Sequence, residues 1–427
     1  MSRRFRATDL GLDEDRLFGN YSAERGRQRL SYTGAMQIYL VGGAVRDTLL
    51  GLSVKDRDWV VVGANAQQMV DQGFLPVGRD FPVFLHPATH EEYALARTER
   101  KTGAGYRGFE IEAASAVTLE QDLARRDLTI NAIAVAKQQV RADGSFDPAQ
   151  VALCDPFHGQ RDLQAKVLRH VTDAFREDPV RILRVARFAA RFSDFSVALE
   201  TMALMQEMVA QGEANALVAE RVWQELARGL LELHPSRLVA VLQESGAWAS
   251  ILPELEPAPL GTTAHRLAAT LDTAGAQGAT LPTRFACLCL CAAPAHAPAD
   301  AVLDAIRSLC ERLRVPTDCS DLARLLLREL DPVLASRALQ PAGVVDLLER
   351  CDAFRKPARF GELLGAAACA NPAGAPTATE HLRAALAAAQ AVPTAAVAAR
   401  AHADGVSGKQ IGGRVRAARI AAVAAAH

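Results

Sequence analysis

The chain has 427 residues, half of them hydrophobic and about a quarter charged, with a formal net charge of −1. That length predicts roughly two to four domains with ample core. The near-neutral balance excludes a nucleic-acid partner recognised through whole-chain charge and leaves room only for a local basic patch. No apolar run approaches the roughly 18 uncharged residues of a membrane helix, so no membrane partner is expected.

In chain order, residues 1–35 mix arginines with acids, carry little apolar periodicity and lack a signal-like apolar segment. They read as a disordered leader, with Met36 as an alternative start. Over 36–175, short strand-like runs ("QIYLV", "DWVVVG", "FPVFLH", "EEYALAR", "TINAIAV") alternate with helical patterns, and "RADGSFD" reads as a turn between strands. "KTGAGYRG" reads as a mobile glycine-rich loop. From about residue 176 the pattern becomes helical almost to the end. "DPVRILRVARFAARF" opens with an acid and a proline, a good helix start. "AERVWQELARGLLEL" is a second amphipathic helix, and alanine dominates after about residue 256. The fold class is therefore α+β, a small mixed sheet followed by an all-α remainder. Eight cysteines lack CxxC spacing. Cys287, Cys289 and Cys291 alternate with leucines and read as buried free thiols in a reducing cytoplasm rather than a zinc site.

The chemistry concentrates in "IYLVGGAVRDTLLGLSVKDRDWVVVG". Aspartate is disfavoured in strands, yet Asp56 and Asp58 lead into an apolar run. Residues two apart in a strand share a face, so the two carboxylates project together. They repel unless a cation lies between them. Mg²⁺ takes one or two carboxylates plus substrate phosphates, and two such ions can clamp both oxygens of a phosphoryl displacement. Gly42 and Gly43 let backbone approach a phosphate closely. The short helix after them favours anions at its N-terminus, and Arg46 offers a bidentate phosphate partner. Alone, the D-x-D also suits a solvated strand end.

Further along, Arg125, Arg126 and Asp127 precede an apolar run in "RRDLTINAIA". Arg181, Arg184, Arg187 and Arg191 are spaced three, three and four apart, one face of a helix otherwise made of Ile, Leu, Val, Ala and Phe. A solvated amphipathic face or one wall of a cleft both fit. Glu92 stands on a strand as a candidate third metal carboxylate or a solvated edge acid.

This order of motifs resembles the nucleotidyltransferase superfamily that includes DNA polymerase β. More closely, "LVGGAVRDTLLG", "KDRDWVVVG", "DLARRDLTINAIA", "REDPVRILRVARFAARF" and "ERVWQE" are similar to class II tRNA nucleotidyltransferases, the bacterial CCA-adding enzymes, and to their poly(A) polymerase relatives. The resemblance covers Met36 to the end and is strongest to about residue 255. It implies a polymerase-β-like catalytic head over 36–175, a helical neck with base recognition over 176–255, and a helical body and tail that bind tRNA over 256–427. It implies template-independent addition and repair of CCA on tRNA from CTP and ATP, with pyrophosphate released in a two-metal mechanism using Mg²⁺. DNA is not an expected substrate, and a monomer or dimer fits equally. By similarity, the Arg126 and Asp127 motif contacts ribose and phosphates. Glu177, Asp178 and Arg181 form the E-D-x-x-R element that reads the base, and Arg184 and Arg187 match nucleotide contacts. The carboxylate suits the exocyclic amine of C or A, and the arginine suits the adjacent ring acceptor.

Toward the C-terminus, Lys409, Arg414, Arg416 and Arg419 outnumber the acids, so "GVSGKQIGGRVRAARI" reads as a phosphate-contacting segment or an ordinary charged helix. One departure stands out. Many bacterial relatives carry an HD metal-phosphohydrolase domain, and the expected His-Asp pair is here Leu290 and Cys291. His265 and His296 are left without partners for a cage, so phosphohydrolase activity is expected to be absent. Two other readings stay open: a poly(A) polymerase of the same superfamily, and a non-catalytic RNA-binding protein on a decayed enzyme fold.

Overall fold

The computed structural model describes residues 36–77, 83–101, 109–112, 116–255, 262–293 and 297–426. The expected leader at 1–35, residues 102–108 of the glycine-rich loop and His296 lie outside the described residues.

The first strands and helices are β1 (Gln37–Val41), α1 (Gly43–Leu49), β2 (Asp58–Val62), α2 (Ala66–Asp71), β3 (Leu75–Val77), β4 (Val83–Leu85) and β5 (Glu92–Leu95). The head continues through β6 (Thr98–Lys101), β7 (Phe109–Glu112), α3 (Leu119–Ala124), β8 (Ala134–Ala136), β9 (Leu153–Cys154), α4 (Gly159–Ala165) and β10 (Val167–Leu168). Seven strands form one sheet in the order β3-β4-β5-β2-β1-β8-β9. It is mixed: β2 pairs β5 in parallel and β1 antiparallel.

Alternation divides the sheet between two cores. Leu40, Trp59, Val61, Tyr93, Leu95 and Val135 join the large core. Val41, Val60 and Ala134 face the other way, onto Leu123 of α3. Each such buried side chain contributes about 1.5–3 kcal/mol at most. A one-residue slip would exchange the faces, so register is strongly held.

β11 (Ser196–Val197) pairs β10 and flanks α5 (Val180–Arg191). Then follow α6 (Leu199–Ala210), α7 (Ala219–Leu230), α8 (Pro235–Glu244) and α9 (Trp248–Ile251). Helix α5 packs on α7 and α8. Gly229 permits the close crossing, since a Cβ there would lie 2.2 Å from Leu238. The remaining helices are α10 (Thr262–Ala276), α11 (Leu281–Cys291), α12 (Ala299–Arg312), α13 (Thr317–Leu334), α14 (Pro341–Arg350), α15 (Pro357–Ala370), α16 (Ala375–Gln390), α17 (Thr394–Ala403) and α18 (Lys409–Ala425). Helix α11 lies against α10, α13 and α15, and α18 against α14, α16 and α17. Cys287 and Cys289 are fully buried within α11, and no cysteine among the described residues is in a disulfide. Among the described residues, no single helix is long and apolar enough to cross a membrane.

Candidate active site between sheet and helices

A cavity of about 700 Å³ opens between the sheet and the α5–α7 pair, with Gly42, Asp56, Asp58 and Arg126 on one wall and Asp178, Arg184 and Arg221 on the other. Gly42 follows β1 and turns the chain into α1 with φ +69 and ψ −130, a conformation open essentially to glycine. A Cβ there would lie 3.1 Å from Arg126 Nη1 and 4.0 Å from Asp58 Oδ2, so its absence keeps the cavity floor bare. Gly43 begins the helix, and a Cβ there would meet only Arg46 Nη2 at 3.5 Å.

Asp58 is the first residue of β2, and Asp56 stands just before the strand. Both side chains face the cavity. Among the described residues neither makes a hydrogen bond or ion pair, whereas almost every other charge around them is matched. Burial pushes the Asp58 pKa up, Arg126 opposes this, and the Asp56 carboxylate adds to the rise. Two unmatched carboxylates on one wall are the donor set a hard divalent cation takes. Glu92 pairs Asp58 in the β2–β5 register and so shares its face of the sheet. It does not line the cavity, however, and no three His, Cys, Asp or Glu side chains among the described residues converge on one point. Glu92 thus stands beside Asp58 on the sheet without reaching the lining of the cavity.

Arg46 lines the cavity and is already paired within the protein. It is 3% exposed and donates to Asp47 Oδ1 at 2.9 Å and Asn131 Oδ1 at 2.5 Å. Its guanidinium also lies over the rings of Phe188 and Phe192 at 5.1 and 5.2 Å. Burial lowers its pKa, with Asp47 opposing. With these contacts it ties α1 to α5 at the wall of the cavity, which it also lines.

The "RRD" residues are braced by acids. Asp122 of α3 holds Arg125 at 2.5 Å and Arg126 at 3.2 Å. Asp127 accepts from Asn131 Nδ2, from the Leu128 amide (both 2.9 Å) and from Arg184 at 2.6 Å. Burial alone would raise its pKa, but Arg184, Asn131 and Arg181 outweigh that and hold it well below the carboxylate range.

All four arginines of the α5 stripe reach protein acceptors. Arg181 donates to the carbonyls of Ala174 and Arg125, both at 2.6 Å. Arg184 meets Asp127, Arg187 meets Glu225 at 2.6 Å, and Arg191 meets Asp47 at 2.8 Å. The stripe is therefore both a cavity wall and the seam joining α5 to the sheet and to α7. Asp178 lines the cavity in extended backbone before Pro179, and its carboxylate accepts two bonds from Arg221, at 3.0 and 2.7 Å. Glu177, expected beside it, ends a 3-10 turn and is not among the lining residues. The change from 3-10 to extended backbone at Asp178 separates the two acids.

The sequence reading did not assign Lys55, Arg97, Asn131, Arg221, Gln224, Glu225 or Arg228, all of which line the cavity. The i, i+4, i+7 spacing of Arg221, Glu225 and Arg228 on α7 was a usable signal. Near the C-terminus, Arg416 is bound to Asp346 and Glu349, and Arg419 lies 3.9 Å over the Phe354 ring. Those two charges fasten α18, while Lys409 and Arg414 stay exposed. Leu290 and Cys291 end α11, and His265 is exposed on α10.

Residues 38–169 match the poly A polymerase head domain, and 194–258 match a probable RNA- and SrmB-binding site of polymerase A. The chain is 55% identical to the multifunctional CCA protein of Polaromonas naphthalenivorans, covering 91% of this chain and 98% of that one. It is 54% identical to the protein of the same name from Variovorax paradoxus, covering 91% and 99%. A CCA-adding enzyme solved with ATP superposes with TM-score 0.64 at 23% identity, over 91% of this chain and 86% of that one. A complex with CTP gives 0.63 at 21% over 91% and 86%, and a Thermotoga maritima CCA-adding enzyme with tRNA gives 0.58 at 22% over 83% and 78%.

Proposed function

The chain belongs to the family of the multifunctional CCA proteins, and from that premise we propose that it adds C, C and A, without a template, to the 3′ end of tRNA from CTP and ATP. The observation that carries this is a single cavity with two unmatched carboxylates on one wall and an Asp178–Arg181 pair on the other.

Asp56 and Asp58 fit Mg²⁺, since they are ionisable oxygen donors with no protein partner among the described residues. Bound there, the ion supplies polarisation of the α-phosphate and a lower pKa for the attacking hydroxyl. The tRNA 3′-OH gives up its proton to solvent and its oxygen attacks the α-phosphorus; a new P–O bond forms, the bond from the α-phosphorus to the α,β-bridging oxygen breaks, and pyrophosphate leaves with that electron pair. The Gly42 turn leaves space for the triphosphate at the N-terminus of α1. Arg126, braced by Asp122, offers positive charge at that floor.

Base choice rests on Asp178 and Arg181. Cytosine and adenine each place an amine beside a ring acceptor, whereas uracil and guanine place a carbonyl where the amine would be. Asp178 is kept in one plane by Arg221, and Arg181 by two main-chain carbonyls. A reader fixed this way does not rotate to accommodate the wrong edge. Leu290 and Cys291 replace the expected His-Asp pair, so no phosphohydrolase activity belongs to the proposal.

Incubation with tRNA lacking CCA, CTP, ATP and Mg²⁺, followed by sequencing of the products, tests the reading. Products ending in CCA are expected. A run of A from ATP alone would instead establish a poly(A) polymerase.

A further inference from the structure

We infer that the helical body carries a second site, for a phosphate group, in the cavity where α13, α14 and the first turn of α15 meet. The inference rests on the tRNA reading above and names a place in the body where the substrate is gripped. The cavity measures about 150 Å³ and is lined by Asp321, Arg324, Leu325, Arg328, Arg350 and Arg359. A wider depression beside Arg328, Glu329 and Arg350 adjoins it.

The charges there are unevenly matched. Glu329 is 2% exposed and serves two arginines alone, Arg328 at 2.9 Å and Arg350 at 3.0 Å. Arg359 touches Asp321 at 3.7 Å and Asp352 at 3.8 Å, both long for an ion pair, and donates to the Cys351 carbonyl at 3.1 Å. Arg324 makes no hydrogen bond or ion pair among the described residues. The Nε atoms of both Arg324 and Arg359 are buried without a partner.

A network that served folding alone would match its guanidiniums, because a buried unmatched donor is costly. Here four guanidiniums converge on one hollow with donors to spare. A phosphate presents several acceptor oxygens and takes arginine forks in bidentate fashion. Arg359 also stands in the first turn of α15, where the helix dipole favours an anion. Two sources share this chemistry: a backbone phosphate of tRNA, and free inorganic phosphate. The surroundings favour the first. Arg355 and Lys356 are exposed on the turn before α15, so a strand laid over the hollow meets further positive charge. Arg416 of α18, nearby, is already committed to Asp346 and Glu349.

The test compares the full-length protein with Arg324→Gln and with Arg324→Gln/Arg359→Gln. Arg324→Lys, which keeps charge and bulk, guards against misfolding, and thermal melts check the fold of each. Affinity for labelled tRNA lacking CCA is measured by anisotropy at several salt concentrations, and stabilisation by inorganic phosphate is measured in parallel. The expected result for the double variant is tRNA binding about tenfold weaker, with the salt slope reduced by about one. The KM for tRNA should rise while kcat and the KM for CTP stay put. Loss of phosphate stabilisation with tRNA affinity intact would assign the hollow to the free anion. Folded variants that match the wild type in both measurements would overturn the site. A wild-type protein that fails to bind tRNA would overturn the function proposed above instead.

Discussion

Gly42→Ala is the sharpest perturbation of the nucleotide floor, and Gly43→Ala is its internal control. At Gly42 the backbone has φ +69 and ψ −130, where an L side chain is strained by about 1–3 kcal/mol. The new Cβ would sit 3.1 Å from Arg126 Nη1, close enough that the guanidinium must move by a few tenths of an ångström. Arg126 can give way, but only by loosening its 3.2 Å contact with Asp122. The methyl would also stand about 4.0 Å from Asp58 Oδ2, where the triphosphate is proposed to approach. Met36–His427 forms one compact unit, and for a unit of that size such strain lowers Tm by roughly 1–4 °C. At Gly43 the residue is helical and the Cβ makes an ordinary 3.5 Å contact, so stability should change by under about 1 kcal/mol. Thermal melts and CTP kinetics on both variants provide the assay. The KM for CTP should rise at least about tenfold in Gly42→Ala and by markedly less in Gly43→Ala, whose Cβ meets only a flexible side chain. Equal melting temperatures and equal KM values for the two variants would refute the argument that the bare glycine floor seats the triphosphate.

Asp56→Asn or Asp58→Asn should abolish nucleotide addition while tRNA binding survives; near-normal turnover in either removes the metal assignment. Asp178→Ala should admit UTP or GTP, and Arg221→Ala should do so more weakly by freeing the same carboxylate; equal slowing of CTP and ATP without misincorporation would make both structural. Asp127→Asn should cost about 1–3 kcal/mol near neutral pH, as the ionised carboxylate loses its bonds to Arg184 and Asn131. Because the folded Asp127 pKa is depressed, its stabilisation is present above the usual carboxylate value and fades as the pH falls below it. The gap between wild type and variant should therefore close on acidification, and a gap independent of pH in chemical denaturation would contradict the assignment. Finally, no Ni²⁺- or Mn²⁺-stimulated phosphatase activity is expected on a chromogenic phosphate or a 2′,3′-cyclic nucleotide; robust activity that persists in Asp58→Asn and is lost on changing His265 would show that a cage exists after all.

Local pattern carried the strands and helices of the head. The alternation in "IYLV" and "WVVV" and the proline start of α5 are short-range signals, and β1, β2 and α5 form where those signals lie. Asp56 and Asp58 both line the cavity, although only Asp58 lies within β2 and strand alternation does not govern Asp56. The arginine stripe was legible as a face of α5.

What each arginine faces was not legible. Arg46, Arg184 and Arg191 meet Asn131, Asp127 and Asp47 across 85, 57 and 144 residues of sequence. Whether a guanidinium greets a phosphate or a carboxylate depends on which acid the fold brings opposite it, and helix spacing does not encode that. Arg221 and Glu225 went unassigned for the same reason, since their partners stand on α5 and in the turn before it. Sequence alone determined the elements and the chemistry available on their faces. Only the packing of α5 and α7 against the sheet decided which of those charges are matched within the protein and which, like Asp56 and Asp58, are not.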